Sequence, residues 1–306
     1  MFTGEPAFRA LRPEDAAPLL AMWNESAPHD LLTPGLLDEK TGQDPGFEPE
    51  LAPLCEANGS IVAFGMAVVR ETGEGQRGVV KLLAVARGFR RRGIGGKLLE
   101  RLERRLRERG ADTVRLCESP PNYLCPGVDE RYAMAAPFFE RRGYRPVGTA
   151  FNMTADLAAL ALDTRQQERG LAGAGIDCRR MTVSDREAVD RLLQAHWPSW
   201  RDEVAAGLAR SPTSVHAAIR AGEALGFAAW DTNNRGSGWF GPMGTAPDAR
   251  GLGIGRVLLL RCLRDMRAAG HLHAEIPWVE PRGFYEKYAG AAVSRRFNRY
   301  EKVLAP

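Results

Sequence analysis

Two glycine-rich hexapeptides are the residues of this chain best suited to chemistry: Arg90-Arg91-Arg92-Gly93-Ile94-Gly95 and Arg250-Gly251-Leu252-Gly253-Ile254-Gly255. Each follows an extended apolar run, at 79–85 and 239–245, and each leads through Gly96 or Arg256 into a run with helical spacing. Ile94, Leu98, Leu102 and Leu106 form one apolar stripe, and Ile254, Leu258, Cys262 and Met266 form the other. Glycine lets the backbone approach a ligand closely and take up left-handed angles. The first N–H groups of a helix lack carbonyl partners, and the helix dipole adds partial positive charge there. A strand, a glycine turn and an amphipathic helix therefore make a site for an anion such as phosphate. A P-loop is excluded, because Gly96-Lys97 is followed by Leu98 and Arg91 stands where the first glycine belongs. A dinucleotide fingerprint fails as well, since Leu98 and Arg256 occupy its third glycine position.

The pattern that does match is Arg/Gln-x-x-Gly-x-Gly/Ala, satisfied by Arg90, Gly93 and Gly95 and again by Arg250, Gly253 and Gly255. It resembles the acyl-CoA pyrophosphate loop of the GNAT N-acetyltransferases. The resemblance implies acetyl-CoA as cofactor, held by Arg90, Arg91, Arg92, Gly93, Ile94, Gly95 and Gly96 in the first half. In the second half the corresponding residues are Arg250, Gly251, Leu252, Gly253, Ile254, Gly255 and Arg256. It also implies that the preceding strand bulges from its neighbour so that pantetheine inserts beside Leu83 and Val85, or beside Met243, Gly244 and Thr245. Pro242 lacks an N–H and stands where such a break in pairing would be useful.

Acetyl transfer to an amine needs a base for the ammonium proton, a donor for the oxyanion and a donor for the departing thiolate. The family resemblance assigns the last role to a tyrosine in a Phe-Tyr-Glu-Lys phrase, which is Phe284-Tyr285-Glu286-Lys287 here. Phe139 holds that place in the first half and has no proton to give, which favours the second half as catalytic. The reverse assignment would need Tyr123 or Tyr132 as a substitute. For the base, Glu275 is the leading candidate, Asp231 the second, and water the third. The strands 79–85 and 239–245 contain no carboxylate. His196, Trp197, Trp200, Trp239 and Trp278 are candidates to line an acceptor pocket. His271 and His273 have no third ligand near them in sequence, so no metal is expected.

The elements that must position these residues repeat in the same order. Arg9 to Asp15 and Arg179 to Asp185 each set up a helix, the second with Thr182 and Asp185 spaced as a capping box. Phe138-Phe139-Glu140-Arg141 matches Phe284-Tyr285-Glu286-Lys287, and Phe151-Asn152 matches Phe297-Asn298. The first half is longer between its loop and this phrase, and the extra residues fall at 119–133, rich in proline and glycine. Short runs at 61–69, 215–220 and 224–231 read as further strands, with a turn at 72–75 after the first. The expected fold is mixed α/β (α+β): two consecutive GNAT-like acyl-CoA-binding domains, each a mostly antiparallel central sheet flanked by helices. The expected domains are 1–157 and 176–306, joined by a linker at 158–175.

Composition agrees with an ordinary globular chain, at 44% hydrophobic and 26% charged residues. No long apolar run or signal-peptide pattern is present, and the five cysteines form no Cys-x-x-Cys, so a cytoplasmic protein without disulfides is expected. The arginine-rich segment 87–109 alternates with glutamates, and Glu100–Arg104 and Glu103–Arg107 are spaced as helix-surface ion pairs. A solvated helix face is expected there, with a small-molecule amine as partner rather than nucleic acid or membrane. The rival functions are an acyl-CoA-binding scaffold without turnover and, last, a nucleic-acid binder.

Overall fold

The computed structural model describes residues 6–73 and 75–304. The expected turn at 72–75 includes Glu74, and the N-terminal stretch read as lacking a signal-peptide pattern begins at Met1; both positions lie outside the described residues. The chain forms two compact units: Met1–Ala150 with Arg296–Pro306, and Phe151–Arg295.

In the first unit, β1 (Ala7–Ala10), α1 (Ala16–Ser26), α2 (Pro34–Lys40), β2 (Pro53–Ala57), β3 (Ser60–Thr72) and β4 (Gly75–Val85) precede α3 (Ile94–Glu108). They are followed by β5 (Thr113–Leu116), β6 (Val128–Asp129), α4 (Ala135–Glu140) and the start of β7 (Arg145–Asp156). β1 to β4 are antiparallel neighbours, and β5 joins β4 in parallel. Arg296–Pro306 belongs to this unit because the end of the last strand, β13 (Ala292–Val303), pairs with β5 through Glu301↔Arg115 and Val303↔Thr113. Alternate residues of β3 serve opposite faces. Phe64, Met66 and Val68 pack with α1 and α2, whereas Ala63 and Ala67 join the clusters that contain α3.

The second unit contains α5 (Arg165–Gly173), β8 (Asp177–Arg180), α6 (Arg186–His196), α7 (Arg201–Leu208), β9 (Val215–Arg220), β10 (Glu223–Trp230) and β11 (Phe240–Thr245). It continues with α8 (Ile254–Ala268), β12 (His273–Ile276) and α9 (Arg282–Ala289). β8 to β11 form an antiparallel sheet, and β12 pairs with residues 153–156 of β7. All eight residues of the two apolar stripes expected from sequence are buried. No helix among the described residues is long and apolar enough to cross a membrane.

Three features differ from the sequence expectation. The segment expected as a linker carries α5, which buries Leu171 and ties Glu168 to Arg261 of α8 at 2.6 Å. The division falls at Ala150/Phe151, and the C-terminal eleven residues return to the first unit. Glu103 does not pair along its helix: it is buried, accepting the Tyr144 hydroxyl at 2.9 Å and the Lys302 ammonium at 2.6 Å. That face of α3 is interior, so two partners distant in sequence compete successfully with Arg107.

Candidate functional site

The two glycine loops have the same backbone. Each leaves its strand through one 3-10 turn, Arg87–Phe89 or Pro247–Ala249, and then extends at Arg90 (φ −65°, ψ 157°) or Arg250 (φ −66°, ψ 151°). The chain next turns left-handed twice, at Arg91 (φ 62°) and Gly93 (φ 81°), or at Gly251 (φ 85°) and Gly253 (φ 87°). Glycine is free to adopt such angles, but Arg91 adopts one with a side chain attached, a local strain of about 1 kcal/mol. The helical ladders open with Lys97 N–H to Gly93 C=O (3.0 Å) and Val257 N–H to Gly253 C=O (3.3 Å). The N–H groups before each bond are outside the ladder. Arg92, Leu252, Gly93 and Gly253 are exposed beside these N–H groups, whereas Ile94 and Ile254 are buried and anchor the helix starts. Arg90 braces its own loop, donating to the carbonyls of Val85 and Ser26, both at 2.9 Å.

A second cation stands at each helix start, contributed differently. Gly96 leaves room for Arg142, whose Nη2 lies 2.5 Å from where a Cβ at Gly96 would be. The Arg142 guanidinium sits 4.0 Å from the Phe138 ring centroid and donates to Phe138 C=O at 3.1 Å. In the second unit Arg256 supplies the guanidinium from α8 itself, 5.3 Å from the Tyr288 ring. In both arginines the Nε is buried without a hydrogen-bond partner. Sequence reasoning missed Arg142. The signal was present in the repeat, because Arg142 aligns with Tyr288 and Gly96 with Arg256: the position that holds the cation in the first unit holds the ring beneath the cation in the second.

Beside each loop two parallel strands part. β4 and β5 are paired as far as Val80↔Leu116, closed by Cys117 N–H to Val80 C=O at 2.8 Å. In the second unit the contact is a single bridge, Trp239↔Glu275, with Glu275 N–H donating to Gly238 C=O at 2.8 Å. Among the described residues no ladder joins Phe240–Thr245 to β12, so Met243, Gly244 and Thr245 line an open strand edge; Leu83 and Val85 hold the matching edge of β4. Both strands bulge at the parting: the ladder of β3 and β4 shifts between Met66 and Ala67, and that of β10 and β11 between Ala228 and Trp230. The extra residues are Lys81 in β4 and one of Gly241-Pro242 in β11. Gly244 has no room for a side chain, because a Cβ would meet the Trp197 ring at 2.7 Å.

Tyr285 lies half-buried on α9, its ring edge-on to Phe240 of β11 (6.2 Å) and to Phe284 (5.1 Å). Burial pushes its phenol up to about 12. Among the described residues nothing hydrogen-bonds its hydroxyl. Phe139, its counterpart, is buried between Tyr144 and Tyr300. Glu275 is held on β12 by two neutral donors, Asn152 Nδ2 to Oε1 at 2.8 Å and Thr154 Oγ1 to Oε2 at 2.9 Å. Asn152 also accepts Trp278 N–H at 3.1 Å, which fixes the chain just past β12. Its role was not read from sequence, although Asn152 belongs to the repeated Phe-Asn pair. Asp231 is buried and committed to Arg210 at 2.8 Å.

The other candidates separate. Trp197 and Trp200 stack at 5.6 Å over Phe227, and His196 lies 5.3 Å from Trp197, while Trp239 is buried in the strand parting. Tyr132 is held against α1, its hydroxyl accepting His29 N–H at 3.1 Å, and Tyr123 is buried.

Comparison with known proteins gives one consistent result. The acetyltransferase (GNAT) family model matches residues 13–125 and 180–291. An acetyltransferase of Pectobacterium atrosepticum is 30% identical over 128 residues, covering 40% of this chain and 83% of that protein. Among solved structures, a GCN5-related glucosamine N-acetyltransferase region of a fungal multi-domain GH3 β-N-acetylglucosaminidase aligns with TM-score 0.83 at 18% identity. It covers 98% of this chain, which spans 38% of that one. A GCN5-related N-acetyltransferase from Sphaerobacter thermophilus aligns with TM-score 0.69 at 19% identity, covering 100% and 98% of the two chains. A tandem GNAT protein from the clavulanic acid biosynthesis pathway aligns with TM-score 0.67 at 15% identity, covering 99% of each. At these identities the solved structures speak for the fold alone.

Proposed function

Because this chain belongs to the acetyltransferase (GNAT) family, an acetyl-CoA-dependent family, we propose that its second unit acetylates a primary amine of a small molecule. The observation that carries the assignment is Tyr285, a protonated phenol packed on the open-edged strand, where the first unit has the buried Phe139.

The chain fits the cofactor on its own geometry. The loop N–H groups at 253–256 and the Arg256 guanidinium would hold the pyrophosphate, and the edge of Met243–Thr245 would hold the pantetheine amides. The first loop offers the same fit through Arg90–Gly96 and the edge at Leu83 and Val85. Bound acetyl-CoA supplies an acyl thioester, activated toward attack by an amine.

The protein's part is positioning and proton management. Asn152 and Thr154 fix the Glu275 carboxylate with lone pairs left to accept a proton from the amine, directly or through water. Tyr285 keeps its proton at neutral pH and can donate a hydrogen bond to sulfur. Complete transfer from a phenol at about 12 to the thiolate of a thiol near about 8.5 would be uphill by roughly 5 kcal/mol. Tyr285 therefore acts chiefly as a hydrogen-bond donor to the departing sulfur.

The acceptor class is the finer part of the proposal. The fungal region that shares the fold is described as a glucosamine N-acetyltransferase, so amino sugars head the acceptors to assay. Free-thiol release from acetyl-CoA across amino sugars, polyamines, amino acids and aminoglycosides tests the reading. Amine-dependent release supports it; tight cofactor binding with no release for any amine overturns it in favour of a scaffold.

A further inference from the structure

The residue inserted at the bulge of β4 is Lys81, and its side chain does not reach solvent: the residue is 2% exposed. Its ammonium donates to the Asp44 carboxylate and to Lys40 C=O at 3.1 Å. Asp44 in turn accepts from Arg70 at 2.8 and 2.9 Å, from Gly46 N–H at 2.8 Å and from Asn122 at 3.2 Å. Lys40, 0% exposed, donates to Glu39 at 2.7 Å and to Asn122 Oδ1 at 2.8 Å. Arg70 closes the far side by donating to Ser119 Oγ at 3.1 Å and Pro121 C=O at 3.2 Å. The cluster lies on the α1/α2 side of the sheet, since its members come from α2, the segment after it, β3 and β4. Residues 119–122 complete it, and they belong to the segment that the second half of the sequence lacks.

The bulge of the second unit itself contributes no charged side chain. Gly241-Pro242 carries no side chain that could form a hydrogen bond, and Thr232 Oγ1 donates to Gly241 C=O at 3.0 Å. An amine attacking a thioester lodged at the parting of the strands must approach away from α3, whose helix start and loop hold the anionic end. In the first unit that approach is occupied by five ionic side chains satisfied by one another.

We propose that the Lys81–Asp44 cluster, completed by the 119–133 insertion, seals the acceptor side of the first unit, so that acyl-CoA bound there meets no amine. The proposal rests on the reading that transfer belongs to the second unit. It makes the first unit a non-transferring ligand site, with its loop geometry kept despite the strain at Arg91.

Two measurements decide it. The first disables the second loop with Gly253→Glu, which places a carboxylate where the pyrophosphate would bind. Calorimetric titration with acetyl-CoA is expected to fall from two sites per chain to one, and amine-dependent thiol release to fall more than 100-fold. The reciprocal Gly93→Glu chain is expected to lose the other site and to bind acetyl-CoA once per chain, at the second loop. Amine-dependent release by the Gly253→Glu chain near the wild-type rate would overturn the proposal, as would loss of both sites. The second measurement needs no activity: brief labelling of the folded wild-type chain with an acetylating reagent, read by peptide mass spectrometry. Lys97 and Lys287, both exposed, are expected to label at least tenfold faster than Lys40 and Lys81. Labelling of Lys81 at the rate of Lys97 would refute closure. A wild-type chain silent toward every amine would instead defeat the transferase reading, and the labelling ratio would still decide closure.

Discussion

Replacing Asp44 by asparagine keeps the shape of the side chain and removes the one negative charge shared by Lys81 and Arg70. The carboxylate is fully buried, at 0% side-chain exposure, and receives Arg70, Lys81, Asn122 and the N–H of Gly46. An amide retains one acceptor oxygen and turns the other position into a donor, which then faces a guanidinium or an ammonium. Breaking a buried ion pair from one side typically costs about 3–5 kcal/mol, because the remaining charges stay desolvated and uncompensated. At roughly 2–4 °C per kcal/mol for a unit of this size, the melting temperature should fall by about 6–20 °C. Lys81→Met should cost less, because Asp44 keeps both contacts to Arg70 and the methionine can pack against apolar neighbours. The assay is thermal melting by circular dichroism for wild type and both variants. An Asp44→Asn chain melting within about 2 °C of wild type, or Lys81→Met falling further than Asp44→Asn, would refute the account of the cluster.

Three further outcomes follow from particular contacts. Gly244→Ala forces a methyl to 2.7 Å from the Trp197 ring, so it should cost about 1–3 kcal/mol and change tryptophan fluorescence; an unaltered spectrum would contradict the packing. Glu275→Gln should lower kcat by about 100-fold or more while acetyl-CoA affinity stays at its wild-type value; unchanged turnover would assign the proton to water. His216 is buried with Nε2 2.6 Å from Asp265 and Nδ1 accepting from Arg261 at 3.1 Å, and burial depresses its pKa below 6.5. The unfolded chain therefore takes up the proton first as pH falls below about 6.5, and that part of the stability is lost on the acid side. Urea midpoints between pH 7.5 and 5 should drop more steeply for wild type than for His216→Gln, and equal slopes would contradict this.

Local pattern carried much of the architecture. The apolar stripes of α3 and α8 are legible because helical period and burial coincide at every one of their eight positions. The Thr182–Asp185 capping box forms as spaced, with Asp185 accepting Thr182 N–H at 2.8 Å. What escaped sequence reading depends on contacts between distant residues. Glu103 looked like a surface glutamate until Tyr144 and Lys302 arrived from elsewhere in the chain. The return of Arg296–Pro306 to the first unit follows from pairing between β13 and β5, and alternating side chains cannot name a partner strand. Lys81 is the one charged residue of the apolar run 79–85, and its partner Asp44, with Arg70 and Asn122 around that carboxylate, comes from segments distant in sequence. Arg142 was hidden for a related reason, since its placement is set by the space above Gly96.

The central claim is that the second unit transfers the acetyl group with Tyr285 donating to the departing sulfur, and the most direct test is thiol release by Tyr285→Phe. The ring contacts with Phe240 and Phe284 survive the change and no protein hydrogen bond is lost, so melting temperature and acetyl-CoA affinity should stay at wild-type values. With those unchanged, kcat toward a working amine should fall by about 100-fold or more. Turnover equal to wild type would contradict the claim and return the search for the donor to the rest of the chain.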